Sequence, residues 1–321
     1  MGSYATRGYT HNRLRPYIYR LLVLGSLLFL AQPRPAGARQ PGAERCGDRD
    51  PEISIGACSG IIQAGRAGGR DLAAAHTHRG VAYVALLDYD RALQDFGRAI
   101  AVDPRFSRAF ANRGAVYGAR QDFEKAIADF TRVLALEPGS APAFADRAGM
   151  HRLNGQHDEA IRDYGEAIAR NPSFTDALLN RAIMLAGTSR CAEAIPDFTR
   201  VIELSPSEPI AFVDRGVCHE AAGREDLALR DYTAHLRLDA RSSYGLERRA
   251  ALFFRTGEHA SALADYAQAL VVNPGSAAAL YGRGVIRRLR GDTRGGDADI
   301  EAATALRPGV ASMMAARGVK P

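Results

Sequence analysis

Arginine and aspartate recur in this chain at one fixed interval. The arginines are Arg79, Arg113, Arg147, Arg181, Arg215, Arg249 and Arg283, each 34 residues after the last. The aspartates Asp95, Asp129, Asp163, Asp197, Asp231, Asp265 and Asp299 keep the same period. Two chemistries are open to such a set. A row of arginines would hold anions. Arginines matched one for one by aspartates would instead form ion pairs beside a packed interface, where a lone charge is costly. The matching favours a ladder of Arg–Asp bridges. Arg317 stands in register near the chain's end. That placement suggests that each Arg pairs with the Asp of the preceding unit, so that Arg317 serves Asp299.

Cysteine and histidine are the other candidates. Cys46, Cys58, Cys191 and Cys218 make an even set, which in an exported chain suggests disulfides with three connectivities open. A Cys46–Cys58 bridge would pin a loop onto a helix over residues 51–64. Cys191 and Cys218 fall in neighbouring helices that antiparallel stacking would bring side by side, and buried free thiols are the alternative there. His76 and His78 point to different faces of a helix, and His151, His219 and His235 fall at packing positions. No Cys-x2-Cys or His-x3-His pair, P-loop or Ser/His/Asp set occurs, so no metal, cofactor or reaction centre is expected.

The elements that carry these residues follow from what accompanies the period. A small residue follows each arginine, as in Gly80, Ala148 and Gly216. Twelve residues later comes another small one, then after four more a large one: Ala92 and Phe96, Ala126 and Phe130, Ala160 and Tyr164, and so on to Ala262 and Tyr266. The i, i+4, i+7 rhythm of small, large and small residues makes one apolar stripe on a second helix, and Phe110, Gly114 and Tyr117 make one on a first. Gly155, Gly223, Gly257 and Gly291 occupy the turn between helices, where glycine adopts positive φ cheaply. Prolines such as Pro104 and Pro138 punctuate unit ends, with Ala240 replacing proline in the fifth unit.

In these residues the chain resembles the tetratricopeptide-repeat family over positions 73–310. It departs from the family pattern in having Arg, not Leu, before the small residue, and an aromatic at the fourth place only as Phe110, Phe144 and Phe212. The Arg-Gly and Asp-Phe/Tyr flavour resembles a bacterial secreted or envelope branch. The resemblance implies an all-α, right-handed α-solenoid of stacked helix–turn–helix units. It also implies a protein or peptide segment bound on a concave face lined by first helices. Residues one turn apart and off the packing stripe are expected to line it: Leu179, Ile183, Val213, Val217, Glu247, Ala251, Phe254, Arg255, Tyr281 and Arg288. The plainer reading is that these side chains only support neighbouring helices. The carboxylate clamp of one family branch is missing, since Thr77, Ala111, Ala145 and Leu179 stand at its places. Asn112 and Asn180 fit an asparagine ladder that Asp146, Asp214 and Arg248 interrupt.

Composition narrows the partner. The chain of 321 residues carries a net charge of +6. Residues 1–38 contain Arg7, Arg13, Arg15, Arg20 and Arg34 and no acid, so subtracting these five leaves +1 for the rest. A near-neutral remainder argues against nucleic acid. The same 38 residues read as an export signal: a basic start, the apolar run Leu21–Ala31, then Ala36-Gly37-Ala38 for cleavage. A periplasmic or secreted protein is expected, or one anchored in the inner membrane by an uncleaved signal. The organisation read from sequence is thus 1–38 signal peptide, 39–72 capping segment with Cys46 and Cys58, 73–310 seven units, and 311–321 a truncated eighth-unit helix. The expected role is a non-catalytic interaction scaffold with no small-molecule substrate. The alternatives are an accessory subunit presenting substrate to an envelope enzyme, or a structural protein that associates weakly with itself.

Overall fold

The computed structural model describes residues 43–320, and the expected signal segment lies outside them. Among the described residues there are sixteen α-helices, one 3-10 turn at Ala43–Arg45, and no strand. The chain forms two compact units, one ending at Ala177 and the other beginning at Leu178.

The first unit opens with α1 (Pro51–Gln63), followed by α2 (Gly69–Ala85), α3 (Tyr89–Val102), α4 (Ser107–Ala119), α5 (Phe123–Leu136), α6 (Ala141–Leu153) and α7 (His157–Arg170). Asp50 starts α1 by accepting from the amides of Glu52 and Ile53, with Pro51 at the first helical position. α1 packs on α2, each first helix packs on its own second helix, and α3 and α5 pack on the first helices that follow. Cys46 and Cys58 are joined, their Cα atoms 4.7 Å apart, which ties the leading loop to α1.

The unit boundary falls within α8 (Thr175–Gly187). The second unit continues through α9 (Cys191–Leu204), α10 (Pro209–Ala221), α11 (Glu225–Leu238), α12 (Ser243–Arg255), α13 (His259–Val272), α14 (Ala277–Leu289), α15 (Thr293–Leu306) and α16 (Val310–Ala316). Ser242 and Ser276 cap α12 and α14 by accepting from the amides of Gly245 and Ala279. From α9 to α15, consecutive helices pack antiparallel in the alternation of a helical solenoid. Cys191, the first residue of α9, is joined to Cys218 in α10, with Cα atoms 5.0 Å apart.

The rings expected to fill the helix pairs are buried in both units: Phe96 and Phe130 in the first, and Phe198, Tyr232 and Tyr266 in the second. The inter-helix turn takes positive φ at Gly155, Gly223, Gly257 and Gly291, and also at Leu87 (60°), Gln121 (64°) and Ser189 (63°). In the pair α14 and α15 two glycines bring the backbones together. A Cβ on Gly284 would stand 2.8 Å from the carbonyl oxygen of Gly296 on the facing helix, so neither position has room for alanine without backbone movement.

The Arg–Asp ladder forms, but its register differs from the expectation. Each bridge closes inside one repeat, from the first helix to the second, not between repeats. Arg113 gives Nε to Asp129 Oδ2 and Nη2 to Oδ1, both at 2.8 Å, and Arg249 does the same to Asp265 at 2.7 and 2.9 Å. All seven pairs share this two-bonded geometry. The reason is local: the two side chains face each other across one helix pair. Towards the preceding element the guanidinium finds a hydroxyl, with Arg79 bonding Ser59, Arg147 bonding Thr131 and Arg215 bonding Thr199.

Arg317 therefore does not serve Asp299, which is taken by Arg283 and Arg287. α16 begins one residue before the periodic start set by Ala277, and it is short: it ends at Ala316, just before Arg317, whereas in α4 the arginine stands seven residues into the helix. Gly318 then turns the chain at φ 80°. The tail lies chiefly against α14 and less against α15.

Candidate partner-binding face

The residues expected on the groove all belong to the second unit, on α8, α10, α12 and α14. Leu179 and Ile183 on α8 and Val217 on α10 are half-buried, apolar and one turn or one repeat apart. Val213 is buried, with Ala228, Tyr232 and Leu252 around it and Val217 packed on the same cluster. Glu247 accepts from Ser243 Oγ at 3.0 Å and Ser276 Oγ at 2.7 Å, which ties α12 to the cap of α14. Ala251 and Tyr281 are buried in a cluster that also holds Val285, Val310, Met314 and Val319, with Phe254 packed against it. Arg255 gives Nη1 to Glu220 Oε1 at 2.8 Å and Nη2 to Glu225 Oε1 at 2.9 Å. Arg288 stands apart from the others, exposed, with its guanidinium on Asp297 of α15.

One of these side chains, Arg255, takes part in a polar cluster that the sequence does not announce. Glu220, at the end of α10, accepts from Tyr232 Oη at 2.6 Å, Arg248 Nη2 at 2.7 Å and Arg255 Nη1 at 2.8 Å. Burial alone would raise the Glu220 carboxyl, but Arg248, the Tyr232 hydroxyl and Arg255 together hold it below the usual carboxylate range. Burial raises the Tyr232 hydroxyl, an effect that Arg248 opposes and Glu220 reinforces. Asp214, one repeat before Arg248, behaves oppositely: burial pushes its carboxyl up to about 7 against the pull of Arg248. Asp146 is pushed up to about 7 by the same cause in the first unit. The signal for the cluster was present in sequence as three charges off the 34-residue ladder: Glu220, Arg248 and Arg255. Arg248 reads there only as an interruption of an asparagine ladder, because its acceptor lies 28 residues upstream.

His76, His219 and His235 are buried in the packing. His76 Nδ1 lies 3.0 Å from Asp95 Oδ1, and His235 Nδ1 lies 2.8 Å from the carbonyl of Pro209. The face offers half-exposed aliphatic side chains on α8 and α10 beside a carboxylate already satisfied by three donors.

Family models described as tetratricopeptide repeat match residues 73–106 and 107–140, and 151–209, 185–243 and 248–309. No curated protein matches the chain in sequence. Solved structures resemble it in fold. The C-terminal part of a TPR repeat-containing protein from Cytophaga hutchinsonii superposes with a TM-score of 0.61 at 15% identity, covering 72% of this chain and 94% of that one. A tetratricopeptide repeat protein from Parabacteroides merdae gives 0.54 at 18% identity, covering 76% and 97%. YrrB, described as a TPR protein with an unusual peptide-binding site, gives 0.54 at 19% identity, covering 59% and 97%.

Proposed function

Because this chain belongs to the tetratricopeptide-repeat family, we propose that it is a non-catalytic scaffold that binds a protein or peptide segment on the first-helix face of its second unit. The observation that carries this reading is the run of half-buried aliphatic side chains, Leu179, Ile183 and Val217, repeated on successive first helices. Apolar positions kept partly open at repeat spacing match an extended or helical ligand with hydrophobic anchors. The peptide-binding description of YrrB is consistent with it.

We place the protein outside the cytoplasm, in the periplasm or secreted. Two features support this: the basic, apolar and small-residue leader of residues 1–38, and the two cysteine pairs that follow it. The test of the binding face is the double variant Ile183→Asp and Val217→Asp. It is expected to lose crosslinking to the partner recovered from the native envelope, with its helical circular dichroism unchanged. Undiminished crosslinking by that variant would move the site elsewhere. Sequencing the amino terminus of the exported chain tests the signal, with cleavage after Ala38 expected.

A further inference from the structure

The same first-helix position changes its exposure along the second unit. Ile183 on α8 and Val217 on α10 are half-buried. Their equivalents one and two repeats on, Ala251 on α12 and Val285 on α14, are 1% and 0% exposed. The difference is the tail. Val310, Met314 and Val319 are each 0% exposed and share one cluster with Ala251, Tyr281 and Val285. Further along, Gly318 abuts the stem of Arg255: a Cβ there would stand 2.4 Å from Arg255 Cδ. Arg317 lies close enough to Tyr244 and Tyr266 for its charge to act on both hydroxyls.

The seat is apolar. Arg317 Nη1 and Tyr266 Oη are both buried with no partner, a cost that a well-matched ligand would not carry. Three apolar anchors hold eleven residues in place, and the conformational entropy of fixing those residues opposes them.

We infer that residues 310–320 act as a built-in ligand, occupying a seat on α12 and α14 that accepts a partner's short helix with aliphatic side chains at its first and fifth positions and a third five residues on. The tail must leave before that partner binds. This rests on the scaffold reading above and names the chemistry of the ligand for the covered end of the same face.

The test uses the full chain and a fluorescein-labelled peptide with the sequence of residues 309–320. Wild type and Met314→Asp are titrated by fluorescence anisotropy. Met314→Asp, whose own tail no longer seats, is expected to bind the peptide at least ten-fold more tightly than wild type. A peptide carrying the same Met314→Asp change is expected to bind neither protein. Should Met314→Asp lose helical circular dichroism, Val319→Asp, beyond α16, replaces it. In wild type, excess peptide is expected to speed amide hydrogen exchange at residues 310–320. Binding of the peptide to neither protein, or to both equally, overturns the inference. So does a tail that exchanges as slowly as α14 with or without peptide. Concentration-dependent dimerisation of wild type, abolished by Met314→Asp, would also overturn it, by assigning the seat to a second copy. The Ile183→Asp and Val217→Asp variant probes α8 and α10 instead, so either test can fail while the other holds.

Discussion

Asp129 is buried at 5% exposure and holds two hydrogen bonds from Arg113. Truncating it leaves a partly buried guanidinium without its acceptor. Asp129→Ala is therefore expected to cost about 2–3 kcal/mol in thermal or urea unfolding. Replacing both partners, Arg113→Met with Asp129→Leu, should restore most of that loss, because the desolvated charge disappears with its partner. The inter-helix turns offer the opposite kind of change. Leu87 adopts φ 60° with its side chain 72% exposed, so it bears left-handed strain and buries little in return. Leu87→Gly should stabilise the first unit by about 0.5–1 kcal/mol, read as a rise in melting temperature. Asp214 gives a test in pH. Its folded pKa is raised to about 7 above an unfolded value near 4, so the folded state binds the extra proton between these limits. The group's contribution is most favourable at low pH and is lost as pH rises through 7. Asp214→Asn should thus raise stability by about 1–2 kcal/mol at pH 8, after allowing for solvent screening, and leave it unchanged at pH 4.

At the scale of elements, helix–turn–helix units were readable because every signal agreed: ring spacing, turn glycines, closing prolines and the ladder itself. The two cysteine pairings were suggested by the sequence without being fixed: a loop lying on α1 favoured Cys46–Cys58 and antiparallel stacking favoured Cys191–Cys218, with other connectivities open. The ladder's register was not readable. Periodicity places an Arg and an Asp in every repeat, but an Asp lies on each side of every Arg, and only the facing of side chains across a helix pair decides between them. The tail misled in a related way. Arg317-Gly318 keeps the period, yet α16 ends before Arg317 and packs chiefly on α14, and Gly318 turns the chain beyond it. The Glu220 cluster was hidden because Glu220, Arg248 and Arg255 fall outside the repeat pattern and meet across successive first helices, beside the repeat's own Tyr232. The Cys191–Cys218 link clamps α9 to α10. Removing it in Cys191→Ala with Cys218→Ala should cost about 3 kcal/mol by the loop-closure argument, seen as faster hydrogen exchange in both helices.

At the scale of the molecule, stability in a stacked-repeat chain accrues from each unit and its neighbours. The charges follow a stricter rule than the apolar contacts do. Had the arginines reached back to the preceding repeat, every array would leave one unmatched anion at its end and one unmatched cation at its start. With each ladder bond closed inside its own 34 residues, the Arg–Asp pair of a repeat is complete by itself. A lineage can copy or excise whole modules in such a gene, and the ladder strands no charge at either junction.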